Sequence, residues 1–348
     1  PLWSRGLGDV YKRQLEDTSE LVAIFDEVEP DPSLSTLEKA IAIGQSSKCT
    51  GVIGYGGGSS MDVAKLTSLI LGSSENLDSV WGVGAARGPR LPLVLVPTTA
   101  GTGSEVTPVS IITVGENEKR GVSSSIILPD LAILDPLLTI GLPQKITAAT
   151  GVDAMVHAIE AYSSKNKNNN PISKMYAIEA LKLLIGSIDK AVFHGDSEKA
   201  RANMLKGSMF AGIAFANSPV AAVHALAYPI GGIFHIPHGL SNALILPYVL
   251  RFNQLDQKAA HAYADLCDYI WPLKDPKKGI QYKSSFFIEK LAELSERLGL
   301  EARLRDVGIP KESCKKMAKE SMKQTRLLVN NPRCITEKDS LDIYLAAW

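Results

Sequence analysis

The stretch Val52-Ile53-Gly54-Tyr55-Gly56-Gly57-Gly58-Ser59-Ser60-Met61-Asp62 is a short apolar run that breaks into glycines and then resumes, from Asp62 to Leu71, with helical spacing. A strand, a glycine turn and a helix in that order form the repeating unit of an α/β domain. Glycines let a backbone approach a ligand with no Cβ in the way. At the start of a helix, uncommitted N–H groups and the helix dipole suit a phosphate. The pattern is not G-x-G-x-x-G, so two readings stay open from this turn alone: a phosphate cradle, or a tight loop capped by Ser59 or Asp62.

Working outward, Leu21 to Phe25, Leu91 to Val96, Ile111 to Val114 and Leu131 to Leu134 are further short apolar runs, and Leu37 to Ile43 has helical spacing. This alternation predicts an α/β domain with a mostly parallel, Rossmann-like sheet over residues 15–142. After Pro143 strand-like runs become rare. Met175, Ile178, Leu181, Leu184 and Ile188 recur at spacings of three and four, which predicts a helix burying that face. Leu291, Leu294 and Leu298 repeat the pattern, with Gly299 where a C-cap glycine belongs. An all-α domain is therefore expected over residues 143–348. Lys165 to Asn170 and Lys274 to Lys283 read as solvated loops. Residues 1–14, PLWSRGLGDVYKRQ, begin without Met and lack periodicity, and are expected to be a non-native cloning or assembly scar on a fragment.

A chain of 348 residues exceeds one ordinary core and suits about two domains. Lys plus Arg and Asp plus Glu each number 37, so the net charge of +0 provides no electrostatic footprint for nucleic acid or an anionic membrane. No apolar run reaches the ~18 residues of a membrane span. Cys49, Cys267, Cys314 and Cys334 are far apart with no C-x-x-C, which reads as reduced thiols and a cytoplasmic setting.

Three further segments carry chemistry. Pro97-Thr98-Thr99-Ala100-Gly101-Thr102-Gly103-Ser104-Glu105 follows the Leu91 to Val96 strand directly. Open α/β sheets bind ligands beyond the carboxyl ends of their strands. Threonines there suit a ribose or diphosphate, or a turn that caps its own backbone. In Thr150 to His157, Asp153 and His157 are four residues apart, on one face if helical. Ala221 to Gly239, AAVHALAYPIGGIFHIPHG, places His224 in a small-residue helix that Pro229 and Gly231-Gly232 interrupt, and His238 after Pro237 at the start of a new helix. One carboxylate and three imidazoles suit Zn²⁺ or Fe²⁺. Neutral imidazoles leave the ion's charge only partly cancelled, so it remains a Lewis acid. Each histidine alone reads equally as a buried, hydrogen-bonded residue. His194 and His261 read as surface or packing residues, and His235 as part of either the metal surroundings or a substrate pocket.

GGGSSMD, PTTAGTGSEVT, TAATGVDAMVHAIEAY and HALAYPIGGIFHIPHGLSNALILP, in this order and spacing, resemble the signature segments of the iron-containing (group III) alcohol dehydrogenases. The likeness runs from about Leu21 to Trp348 and includes Phe25-Asp26-Glu27-Val28 and Asn331-Pro332-Arg333. It implies an α/β nucleotide-binding domain, an α-helical domain and a metal in a cleft between them, the architecture shared with dehydroquinate synthase. It makes Asp153, His157, His224 and His238 the metal ligands. Gly57, Gly58 and Ser59 match the turn that holds the cofactor diphosphate. Thr98, Thr99 and Thr102 match a second cofactor loop. Lys119 falls, across a variable loop, where many members carry a cofactor-contacting lysine.

Two departures stand out. Many members have a histidine four residues after the third ligand, where this chain has Tyr228. A tyrosine hydroxyl, with a free pKa of ~10, can pass a proton but is a poorer base than histidine near neutrality. Roughly 40–50 residues of an opening strand–helix–strand are expected to be missing, so the choice between NAD and NADP is not readable. The function implied is NAD(P)-linked alcohol oxidation or aldehyde reduction with Fe²⁺ or Zn²⁺, by a small-molecule enzyme, with a homodimer as a family-based expectation. The alternatives are a non-catalytic metal-binding fragment and a dehydroquinate synthase-type lyase.

Overall fold

The computed structural model describes residues 21–115 and 118–348. Residues 1–14, expected to be a scar, lie outside the described residues. The described chain divides after Leu142 into two compact units.

In the first unit, α1 (Leu34–Ser46) precedes β1 (Val52–Gly56), α2 (Gly58–Ser73) and a short α3 (Leu77–Val80). Then come β2 (Gly82–Val83), β3 (Leu93–Pro97), β4 (Val109–Val114), β5 (Glu118–Ser123) and β6 (Leu131–Ala132). The parallel sheet has the order β1-β3-β6, with Val52 opposite Leu93 and Gly56 opposite Pro97. α2 packs on it because Gly54 has no side chain: a Cβ there would lie 2.5 Å from Leu95 Cδ2 and 2.7 Å from the Ala64 Cβ. Met61, Ala64, Leu93 and Leu95 fill that interface, and the other face of α2 joins Leu37, Ile41, Ile112 and Val122 in a second cluster.

Four details differ from the sequence reading. Leu21 to Phe25 belongs to no strand. Ile111 to Val114 lies in β4, which pairs antiparallel with β5 in a separate β2-β5-β4 sheet. β5 reads EKRGVS and has no apolar alternation, so its pairing is supplied by its neighbour rather than by its own composition. β6 is only two residues long.

In the second unit every described regular element is helical: α4 (Gln144–Ser163), α5 (Pro171–Phe193), α6 (Glu198–Asn217), α7 (Ala222–Phe234), α8 (His238–Asn253), α9 (Gln257–Ile270), α10 (Ile280–Arg297), α11 (Ser313–Ser321), α12 (Thr325–Leu328) and α13 (Glu337–Ala347). α4 is the central element: Gly151 through Tyr162 are all buried, and α5, α6 and α8 pack around it. α5 buries Ser173, Ala177, Ala180, Leu181, Leu184 and Ile188, but Met175 is 52% exposed, so the buried face is set by small residues that the apolar spacing from Met175 does not include. Gly299, at φ +75°, terminates α10 in the left-handed conformation. α7 runs through Pro229 and Gly231-Gly232 without a break. An interior proline costs ~3 kcal/mol in an exposed helix. Here the complete burial of Ala222 through Ala227 and of Ile230 offsets that cost. Among the described residues no single helix is long and apolar enough to cross a membrane.

Candidate metal centre and nucleotide cradle

α4 carries Asp153, His157 and Glu160 at i, i+4 and i+7, one stripe of an otherwise apolar buried helix. α7 contributes His224, and His238 is the first residue of α8. α8 reaches α4 because Gly239 follows His238: a Cβ at Gly239 would overlap the Ala149 carbonyl oxygen and lie 2.7 Å from the Ala149 carbonyl carbon. The result is one cluster. Asp153, His157, His224 and His238 each present a ligand atom, and all four atoms lie within 4.8 Å of one another.

The surroundings orient these groups. His224 Nε2 and His157 Nε2 face each other at 3.0 Å. His224 Nδ1 lies 2.6 Å from Glu160 Oε2. The His157 ring stacks on Phe215 of α6, with centroids 4.5 Å apart. Asn242, one turn beyond His238, donates from Nδ2 to Asp153 Oδ1 at 2.6 Å, and the same nitrogen lies 3.4 and 3.3 Å from His224 Nε2 and His238 Nε2. Its buried Oδ1 has no hydrogen-bond partner. Burial raises the Asp153 carboxyl, but His157, His238, His224 and the Asn242 amide together outweigh it and hold the group below the usual carboxylate range. His238 is the open member, with its side chain 38% exposed, whereas Asp153, His157 and His224 are buried. The half-buried Tyr228 ring stands beside it, centroids 6.1 Å apart.

Glu160 and Asn242 did not emerge from the sequence reading. The available signal was spacing: a carboxylate seven residues after Asp153 on a buried helix, and an amide four residues after His238. His235, left ambiguous above, is exposed and caps α7 at φ +55°. His194 and His261 are exposed, as expected.

In the first unit, the glycine turn and the threonine loop come together. Thr98 N donates to Gly56 O at 2.9 Å. A Cβ on Gly58 would lie 2.7 Å from Thr102 Cγ2, and one on Gly57 would lie 3.4 Å from Thr99 Oγ1. Gly57 is the N-cap of α2 and no side chain caps that end, which removes the capping reading of Ser59 and Asp62. Asp62 instead accepts from Ser104 Oγ at 2.7 Å and Ile111 N at 2.9 Å. Lys65, fully buried one turn on, donates to Ser104 Oγ, Thr107 Oγ1 and Val109 O at 2.8, 3.3 and 2.7 Å. Desolvation lowers its ammonium to about 8, against the pull of Asp62 and Glu105. Glu105, also buried, is raised by desolvation to about 7. Lys119 lies on β5, and its ammonium binds Asp31 Oδ1 at 2.7 Å and Thr113 Oγ1 at 2.9 Å.

A cluster of one carboxylate and three imidazoles, buried except for His238, is a donor set suited to a divalent transition metal. The α/β unit, taken by itself, presents an uncapped glycine turn of the kind that suits a nucleotide phosphate. Known proteins agree. The description "Iron-containing alcohol dehydrogenase" matches residues 2–136, and "Fe-containing alcohol dehydrogenase family, C-terminal" matches residues 147–348. The "Long-chain-alcohol dehydrogenase 1" of Geobacillus thermodenitrificans is 39% identical over 346 residues, 99% of this chain and 86% of that protein. A crystal structure of a 1,3-propanediol oxidoreductase superposes with a TM-score of 0.93 at 33% identity, covering 98% of this chain and 88% of that one. A sulfoacetaldehyde reductase from Bifidobacterium kashiwanohense, solved in complex with NAD⁺, superposes with a TM-score of 0.85 at 31% identity, covering 98% of this chain and 88% of that one. The chain belongs to the iron-containing alcohol dehydrogenase family and is an oxidoreductase acting on the CH–OH group.

Proposed function

We propose that Asp153, His157, His224 and His238 hold one divalent cation and that the enzyme interconverts an alcohol and its aldehyde with a nicotinamide dinucleotide. The observation that carries this reading is the convergence of four chemically suited donor atoms within 4.8 Å. When bound, the ion supplies Lewis acidity, lowering the effective pKa of an alcohol or polarising a carbonyl. Asp153 provides the only charge among the four donors, and the neutral imidazoles leave the remainder of the cation's charge uncancelled. Phe215 covers one side of His157 and excludes water there. The exposed edge of His238, flanked by Tyr228, is where a substrate oxygen can approach. Tyr228 shapes that entrance and can relay a proton from it.

The cofactor diphosphate is assigned to the turn Gly57-Gly58-Ser59, whose N–H groups open the helix α2. Thr98, Thr99 and Thr102 form the opposite wall. Lys119 reaches a cofactor only by exchanging its Asp31 partner. Fe²⁺ is favoured by the family's description, although this donor set also accepts Zn²⁺. NAD is favoured over NADP by the NAD⁺ complex of the related reductase. Short or long primary alcohols and diols fit the names of the relatives. Four free cysteines suit a cytoplasmic setting.

The test is reduction of NAD⁺ by 1-alkanols and diols, followed at the nicotinamide absorbance, with protein stripped of metal and reloaded with Fe²⁺ or Zn²⁺. Turnover is expected only after reloading. A reloaded protein inert toward every alcohol, diol and aldehyde would sink the proposal.

The approach of α8 to α4 makes a further test. Gly239→Ala is expected to cost about 1–3 kcal/mol by overpacking and to displace His238. Thermal unfolding should fall and metal content drop with it; unchanged values for both would show that the helices can separate without loss.

A further inference from the structure

We infer that Glu160 is a positioning residue that sets the ring orientation and donor strength of His224 while capping the helix that carries it. The inference rests on the proposed metal centre and concerns a residue outside the four ligands.

The geometry is a three-way acceptance by one carboxylate. Glu160 Oε1 accepts from Val223 N at 2.6 Å, and Glu160 Oε2 accepts from Ala221 N at 3.0 Å. His224 Nδ1 completes the set at 2.6 Å from Oε2. α7 begins at Ala222, and its N-cap residue Ala221 has no side chain able to satisfy the first N–H groups. Glu160, from the neighbouring α4, supplies that cap in trans. The side chains of His224 and Glu160 are 3% and 4% exposed, so water does not compete for these bonds.

The consequence for the ring follows from donor counting. A carboxylate accepting two backbone N–H groups takes a third hydrogen from the ring, which places the His224 proton on Nδ1. The Nε2 lone pair is then committed to the cluster, where it already faces His157 Nε2 at 3.0 Å. A carboxylate behind a ligating imidazole fixes its tautomer and raises its basicity, and loss of such a partner typically costs 10–100-fold in metal affinity. Glu160 therefore couples two properties: the start of α7 and the strength of one ligand are set by the same group.

Glu160→Gln keeps the shape and a carbonyl acceptor but removes the charge. Apo wild type and variant are titrated with Co²⁺, read by its visible d–d absorption, with circular dichroism and thermal unfolding of both apo proteins. The expected result is 10–100-fold weaker Co²⁺ binding by the variant, with apo unfolding changed far less than in Glu160→Ala. Equal Co²⁺ affinity in wild type and a folded Glu160→Gln variant would overturn the inference while leaving the metal centre intact. Absence of any Co²⁺ binding by wild type would overturn the centre itself and the inference with it. Should the variant not fold, wild type loaded with Zn²⁺ and labelled with ¹⁵N-histidine decides: Nδ1–H and a metal-bound Nε2 on His224 support the assignment, and the opposite tautomer refutes it.

Discussion

Replacing Asp153 with Asn is expected to lower kcat/KM for alcohol oxidation by about 10³-fold or more and to leave the purified protein largely free of metal. Asp153 is the sole anion among the four donors. It is buried on α4, and three histidine rings and the Asn242 amide favour its charged form over the neutral one. The substitution keeps the volume and leaves His157, His224 and His238 in place, so the fold should survive. What disappears is the charge that binds the cation. Several kcal/mol of transition-state stabilisation depend on that cation, and each 1.36 kcal/mol is a factor of ten. Elemental analysis and steady-state kinetics on the reloaded variant check both halves. A variant that retains a full complement of metal and a rate within tenfold of wild type would remove Asp153 from the centre.

Lys65→Met is expected to destabilise the first unit by about 3–5 kcal/mol, more at pH 8 than at pH 5.5. Lys65 is a fully buried cation between Asp62 and Glu105, and its three hydrogen bonds join α2 to the Ser104–Val109 segment. Removing it leaves the buried Glu105 and the partly buried Asp62 without a counter-charge. The sign with pH follows from the shifts. Burial raises Glu105 from its ordinary 4.5 to about 7, so between those values the folded state holds more protons and stability falls as pH rises. Lys65 runs the other way and at higher pH: lowered from 10.5 to about 8, it makes stability rise with pH only between those two values, above the range compared. In the variant the carboxyls lose the cation that eased their ionisation. Acid then protects the folded unit by keeping Glu105 neutral. Denaturant midpoints at the two pH values measure this, together with the dissociation constant for NAD⁺, which should rise because Ser104 ends the threonine loop. A loss below 1 kcal/mol, or one independent of pH, would show that the buried charge is dispensable.

Much of this was legible along the chain. Local spacing encodes local geometry: Val52 to Leu71 could only be strand, turn and helix, and Asp153 with His157 shared a face once the segment was helical. The change from strand-bearing to helical sequence at Pro143 coincides with the division into two units. The polar strand β5 was not legible, because a ladder partner rather than side-chain alternation determines it. Nor was the unbroken α7, where burial outweighs the local preference of Pro229.

Glu160 shows the limit most clearly. Its position on the helix is written in the sequence, but its role is created by Ala221, Val223 and His224, which lie some sixty residues away in the chain and reach it only in the fold. The same holds for the Gly239 backbone against Ala149, and for the Gly58 turn against Thr102. Which residue types are on hand, and which helix or turn most of them occupy, can be read along the chain, since those depend on interactions between near neighbours. That one carboxylate and three rings meet within 4.8 Å emerges from the fold alone, because close packing between distant segments sets that distance.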